Sequence, residues 1–227
     1  MSQTVSQTHQ ASTEVSTLLQ RLGEAKIIGI VRTDSEESAL WVSRVLIEAG
    51  IQWLEVTFTV PNAPNVMEQL SEQFPHAVIG AGTVLDGKQA VQALAAGAQF
   101  LVSPVTQEPM IQFGLANDLL VMPGCLTPTE IFHAWTLGAP AIKFFPAQPV
   151  GGPEYLSAVR GPFPQIPLVA TGGIGLPHVA GYIKAGALAV GVGSPLMPSK
   201  DIKDRNSGNI RALATAYREA LGLTAAP

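Results

Sequence analysis

The chain has almost no cysteine. Cys125 is the single one in 227 residues, so no internal disulfide framework can form. Beside it stand only four scattered histidines, which leave no zinc-ligand spacing, and neither a metal nor a cofactor is expected. Charge is also scarce. Asp, Glu, Lys and Arg make up 13% of the residues, and the thirteen basic ones form no block against seventeen acidic ones, for a formal net charge of −4. A nucleic-acid backbone needs a basic stripe, so nucleic acid is not an expected partner. No apolar run approaches the ~18 residues of a membrane span, so no membrane partner is expected either. Residues Met1 to Glu14 lack both the basic start and the apolar stretch of a signal peptide and read as a flexible leader. These absences together point to a soluble protein in a reducing, cytoplasmic setting.

What is present is a core-forming composition, with 47% apolar residues, 22 Gly and 18 Pro. Short β-branched runs alternate with stretches of helical period from Ile27 almost to the end, which is the pattern of a parallel sheet. The runs are Ile27–Val31, Trp53–Phe58, Ala77–Ile79, Phe100–Val102, Leu119–Met122, Ala141–Phe145, Pro167–Ala170 and Ala187–Val192. The helices expected between them are Ser35–Ala49, Ala63–Gln73, Gly87–Ala96, Glu108–Asn117, Pro128–Leu137, Pro153–Val159 and Pro177–Ala185. Eight such units are the number that closes a (β/α)8 barrel, and no linker divides residues 15–227, which read as one barrel domain. A helix over Glu14–Lys26 is expected to close the bottom, and a last one covers Asn209–Leu221. Gly50, Gly97, Gly138 and Gly186 mark helix exits, while Asp34, Asp86 and Thr127 are the expected N-caps. A doubly wound sheet would share much of this pattern. The first strand-to-helix turn, Val31-Arg32-Thr33-Asp34, carries no dinucleotide glycines, which disfavours a nicotinamide cofactor.

Reactive groups in such a barrel collect where the strands end. Only three charged residues fall in the strands: Arg32 at the end of the first, Glu55 in the second and Lys143 in the sixth. A lysine among apolar neighbours has a poorly hydrated ammonium form, and the neutral amine is a nucleophile toward carbonyl carbon. Schiff-base chemistry follows for Lys143, with Glu55 as a general acid–base beside the imine. The alternative is a structural buried ion pair between the two. Arg32 suits bidentate binding of a substrate carboxylate, or it neutralises Glu55.

The third strand runs into Gly80-Ala-Gly-Thr83, where small residues admit a ligand and Thr83 offers a hydroxyl; Ser103-Pro104 is either a pocket wall or a rigid turn. The seventh strand ends in Thr171-Gly172-Gly173 and the eighth in Gly193-Ser194. Glycines in these two successive loops expose backbone N–H groups to an anion, and barrels often hold a phosphate there; tight turns are the other explanation. Cys125 reads as a packed thiol.

On these residues the sequence resembles the bacterial 2-keto-3-deoxy-6-phosphogluconate / 4-hydroxy-2-oxoglutarate aldolases, metal-independent class I enzymes. The carrying segments are Leu54-Glu-Val-Thr57, Gly80-Ala-Gly-Thr-Val84, Ser103-Pro104, Ile142-Lys-Phe-Phe-Pro-Ala147 with Gly151-Gly152, and Thr171-Gly-Gly-Ile174. The resemblance implies a (β/α)8 barrel, commonly a trimer, that cleaves a 2-keto-4-hydroxy acid to pyruvate and an aldehyde. It makes Lys143 the imine-forming lysine and Glu55 the proton shuttle. Thr83, Ser103 and Pro104 would line the keto-acid pocket, and Gly172, Gly173, Gly193 and Ser194 would hold a distal phosphate. Many phosphogluconate-type members carry an arginine four residues after the glutamate, where this chain has Thr59. Arg32 stands where phosphogalactonate-type members keep one, so the substrate stays open among the three types. Two other readings remain: a phosphate-binding barrel isomerase or synthase, and a non-catalytic phosphometabolite-binding protein.

Overall fold

The computed structural model describes residues 12–223. Nine parallel strands form one sheet: β1 (Ile27–Val31), β2 (Trp53–Thr57), β3 (Val78–Gly82), β4 (Phe100–Val102), β5 (Leu120–Met122), β6 (Gly124–Cys125), β7 (Ile142–Phe144), β8 (Leu168–Thr171) and β9 (Ala189–Val192). Their order is β5-β4-β3-β2-β1-β9-β8-β7-β6. The two end strands of that order are consecutive in the chain, separated by Pro123 alone, so the sheet curls into a nearly closed barrel. The fifth wall is one run of chain in two pieces. β5 pairs with β4, β6 pairs with β7, and the Pro123 carbonyl accepts from the Lys143 N–H at 2.9 Å. The sequence pattern showed one fifth run ending at Met122; proline, with no N–H to donate, interrupts it there.

The helices are α1 (Thr13–Ala25), α2 (Glu36–Glu48), α3 (Ala63–Gln73), α4 (Gly87–Ala95), α5 (Glu108–Ala116), α6 (Pro128–Thr136), α7 (Gly152–Arg160), α8 (Val179–Lys184), α9 (Ser199–Lys203) and α10 (Ser207–Ala220). Most fall within a residue or two of the expected spans. The exceptions have local causes. α2 is capped by Ser35, whose hydroxyl accepts from the Ser38 N–H, and not by Asp34. Pro177 sits in a 3-10 turn ahead of a shortened α8, and the short α9 follows the last strand where no helix was expected. Asp86 and Thr127 cap α4 and α6 as expected, Thr127 in a reciprocal capping box with Glu130. Two backbone N–H groups, of Thr127 and Leu126, hold the Glu130 carboxyl below its ordinary pKa. The helix at the N-terminus begins at Thr13, inside the segment read as a leader; residues 1–11 of that leader lie outside the described residues.

Strand side chains alternate between the two faces of the barrel wall, so the chain builds two cores. The larger lies between strands and outer helices. The smaller fills the bottom of the bore with one residue from each wall: Ile28, Trp53, Val78, Phe100, Leu120, Ala141, Val169 and Ala189. Val15, Leu18 and Leu22 of α1 complete it from below, so this helix is the floor of the barrel.

Candidate active site

Two residues above that floor on each strand, the bore changes character. The positions become Ile30, Glu55, Gly80, Val102, Met122, Lys143, Thr171 and Gly191. Glu55 and Lys143 stand on diametrically opposed walls, since β2 and β7 are four strands apart in either direction round the barrel. Their long side chains cross the bore and meet, with Lys143 Nζ 3.7 Å from Glu55 Oε1 and both side chains under a tenth exposed. Glu55 Oε1 has no hydrogen-bond partner among the described residues. Lys143 Nζ also lies 5.2 Å from the centroid of the Phe145 ring.

Glycine makes this meeting possible. A Cβ on Gly82 would lie 2.1 Å from Glu55 Oε1, and one on Gly80 would lie 2.4 Å from the Phe100 ring. Both positions must stay bare for the carboxylate to reach the axis while Phe100 fills the layer below. Gly124, paired in register with Lys143, is bare for another reason: a Cβ there would lie 2.3 Å from the Pro104 carbonyl. The Ser103-Pro104 turn is thereby drawn in beside the lysine.

A cavity of about 510 Å3 opens over the pair. Its wall includes Arg32, Thr83, Pro104, Lys143, Thr171, Gly172, Gly173, Gly193 and Ser194. The structure therefore brings together nearly all the residues singled out in the sequence. Glu55 does not itself line the cavity; its carboxylate meets the lysine that does. Ser103 is fully buried behind Pro104, its hydroxyl accepting from the Val105 N–H at 3.3 Å. Ile30, Phe145, Gly191, Met197 and Ser199 also line the cavity. Gly191 and Phe145 were legible, because each lies two residues along the chain from an expected site residue, Gly193 and Lys143.

Arg32 does not pair with Glu55. Its guanidinium donates from Nη1 to Thr59 Oγ1 at 2.7 Å and from Nη2 to Thr83 Oγ1 at 3.2 Å. Cys125 is a buried thiol beside Thr106 Oγ1, at 3.1 Å, and burial pushes its pKa up to about 11. A thiol held in that form is a poor nucleophile. The distal end of the cavity offers hydroxyls and glycine backbone. The turn that holds it is braced from behind: Ala147 and Gln148 donate their N–H groups to the Thr171 and Gly172 carbonyls, and the buried Tyr182 hydroxyl donates to Gln148 Oε1 at 3.0 Å.

Comparison with known proteins identifies the family. The family model for KDPG and KHG aldolases matches residues 18–213. The chain belongs to the KDPG and KHG aldolase family. The 2-dehydro-3-deoxy-phosphogluconate aldolase of Treponema pallidum is 33% identical over 207 residues, covering 91% of this chain and 99% of the relative. A solved KDPG aldolase from Legionella pneumophila, with pyruvate captured as a covalent carbinolamine, superposes with a TM-score of 0.80 at 33% identity over 86% of this chain and 97% of that one. The Zymomonas mobilis 2-keto-3-deoxy-6-phosphogluconate aldolase bound to 3-phosphoglycerate gives 0.78 at 28% identity, covering 88% and 94%. The activity that comes with the family is that of a class I aldolase, a lyase that cleaves a keto acid to pyruvate and an aldehyde. Among the described residues no helix is long and apolar enough to cross a membrane.

Proposed function

We propose that the chain cleaves a phosphorylated 2-keto-4-hydroxy acid reversibly, with Lys143 as the imine-forming amine and Glu55 as the proton carrier. The observation that carries this reading is the 3.7 Å approach of two buried, oppositely charged groups across the bore. The cycle begins when Glu55 takes a proton from the Lys143 ammonium. The free amine adds to the C2 carbonyl, one of its protons passes to the new alkoxide, and a carbinolamine results. Glu55 then protonates the C2 hydroxyl, water leaves, and an iminium remains. The Glu55 carboxylate removes the C4 hydroxyl proton as C3–C4 breaks; the aldehyde departs and the electron pair passes into the iminium to give an enamine. Glu55 returns its proton to C3, and hydrolysis frees pyruvate and restores the ion pair. Protons balance over the cycle with these two side chains alone.

Arg32 and Thr83 hold the C1 carboxylate in this reading, beside the wall formed by Pro104 over Ser103. Gly172, Gly173, Gly193 and Ser194, with the Thr171 hydroxyl, hold the distal phosphate. Support comes from their common placement around one cavity and from the 3-phosphoglycerate and carbinolamine seen in the related structures. In this reading the chain acts in the cytoplasm as a homotrimer, and light scattering of the purified protein will test the trimer.

Borohydride reduction in the presence of pyruvate tests the chemistry. Peptide mapping is expected to find a pyruvate-derived adduct on Lys143, and an unmodified Lys143 would sink the proposal. Pyruvate release from phosphorylated and unphosphorylated keto acids, assayed side by side, tests the phosphate assignment; equal turnover of both would overturn it.

A further inference from the structure

Arg32 is long and solvent-exposed, yet the proposed carboxylate grip needs its guanidinium held in one place. A line of hydroxyls does this. Arg32 Nη1 donates to Thr59 Oγ1, Thr59 Oγ1 lies 2.8 Å from Thr57 Oγ1, and Thr57 Oγ1 donates to the Val31 carbonyl at 3.0 Å. Hydrogen counting fixes its direction. Thr57 has one hydroxyl hydrogen, aimed at Val31, so it can only accept from Thr59. The Thr59 hydrogen therefore points inward to Thr57, and the Thr59 lone pairs face the guanidinium. The line ends on the main chain of β1, one residue before Arg32 itself, and its inner member Thr57 is fully buried.

The chemistry of this seat decides its use. A carboxylate at Thr59 would bind the guanidinium more strongly but cancel its charge. Hydroxyls hold it by dipoles alone and leave the positive charge whole. Among the described residues no carboxylate lies within ion-pair distance of Arg32, and Glu55 is paired with Lys143. A guanidinium has five N–H donors. Thr59 and Thr83 each take one, and the uncancelled charge stands at the mouth of the cavity that Lys143 lines.

We infer that Thr59, backed by Thr57, is a positioning residue: it presents Arg32 as an uncancelled cation to the carboxylate of the keto acid. This rests on the carboxylate grip proposed above, and the test separates the two. The readout is borohydride trapping of pyruvate on the full-length chain, scored as the half-saturating pyruvate concentration and the plateau rate separately. Thr59→Val is expected to raise the half-saturating concentration roughly tenfold, the size of effect of one hydrogen bond to a charged group, with the plateau falling by less than about twofold. Thr59→Ser restores tight binding. Thr59→Asp, which cancels the charge, weakens binding more than Thr59→Val. On an Arg32→Ala background Thr59→Val has no further effect. If Arg32→Ala raises the half-saturating concentration but Thr59→Val does not, or if the two losses simply multiply in the double variant, the hydroxyl seat is wrong and the grip stands. If Arg32→Ala leaves it unaltered, the grip fails and the seat with it.

Discussion

The floor of the bore and the layer above it are built by the same eight walls, two residues apart. The floor takes one apolar side chain from every wall, including Trp53 and Phe100, whose rings lie 5.4 Å apart, and α1 seals it. The layer above holds two glycines, a lysine, a glutamate and a threonine, with an open cavity over them. The floor gains stability from buried apolar area. The upper layer buries two charges and a carboxylate oxygen with no hydrogen bond among the described residues, which a well-packed apolar layer would avoid. The barrel thus separates stability from chemistry by one step along each strand, and the two layers should respond to substitution in opposite ways.

The largest contrast is expected from the double variant Lys143→Met/Glu55→Leu. It should release no pyruvate, yet unfold at equal or higher denaturant concentration, because replacing a buried ion pair by apolar side chains is often neutral or stabilising by about 1–4 kcal/mol. A marked loss of stability would mean that the pair belongs to the scaffold. Phe100→Ala should do the reverse. Removing a fully buried ring costs about 3–5 kcal/mol in a chemical denaturation curve, while the folded fraction keeps its turnover.

The smallest effect sharpens the comparison from outside the bore. Cys125 has its pKa raised from 9.0 to about 11, so its contribution is whole below pH 9. It is lost as the pH climbs through about 11, because the unfolded thiol ionises first. The wild type should lose about 2–3 kcal/mol more than Cys125→Ala across that window. Tyr182 and Tyr217, both pushed up to about 12, titrate alike in the two proteins and cancel in the difference.

Much of this layering was legible in the chain. The β-branched runs located the walls, and charged residues inside them marked Arg32, Glu55 and Lys143, because a charge in a buried strand has few structural uses. Thr57 was quoted only as part of a motif and given no role, although it lies two residues beyond Glu55 and so shares its face. A threonine in a strand is ordinary, and only its contact with Thr59 reveals a role. The interruption at Pro123 was readable from the residue itself, yet which neighbour each half-strand joins depends on tertiary pairing. Ser35 displaced Asp34 as a cap because adjacent residues with similar side chains compete, and backbone geometry alone chooses between them. Gly82 was legible as a site of close approach, but what approaches it in the structure is the Glu55 carboxylate and not the ligand expected from the sequence.

Pro123 also divides the reactants. Everything before it contributes β1 to β5 and Glu55; everything after contributes β6 to β9 and Lys143. Neither half of the polypeptide holds both ends of the proton exchange; the sheet joins the halves at the ladder between β1 and β9 and at Pro123, and outside it the ion pairs Arg205–Glu37 and Arg211–Glu48 tie the last helices back to α2. Turnover therefore reports that the ring has closed, and fragments cut at this proline would regain it only by reassembling the whole cylinder.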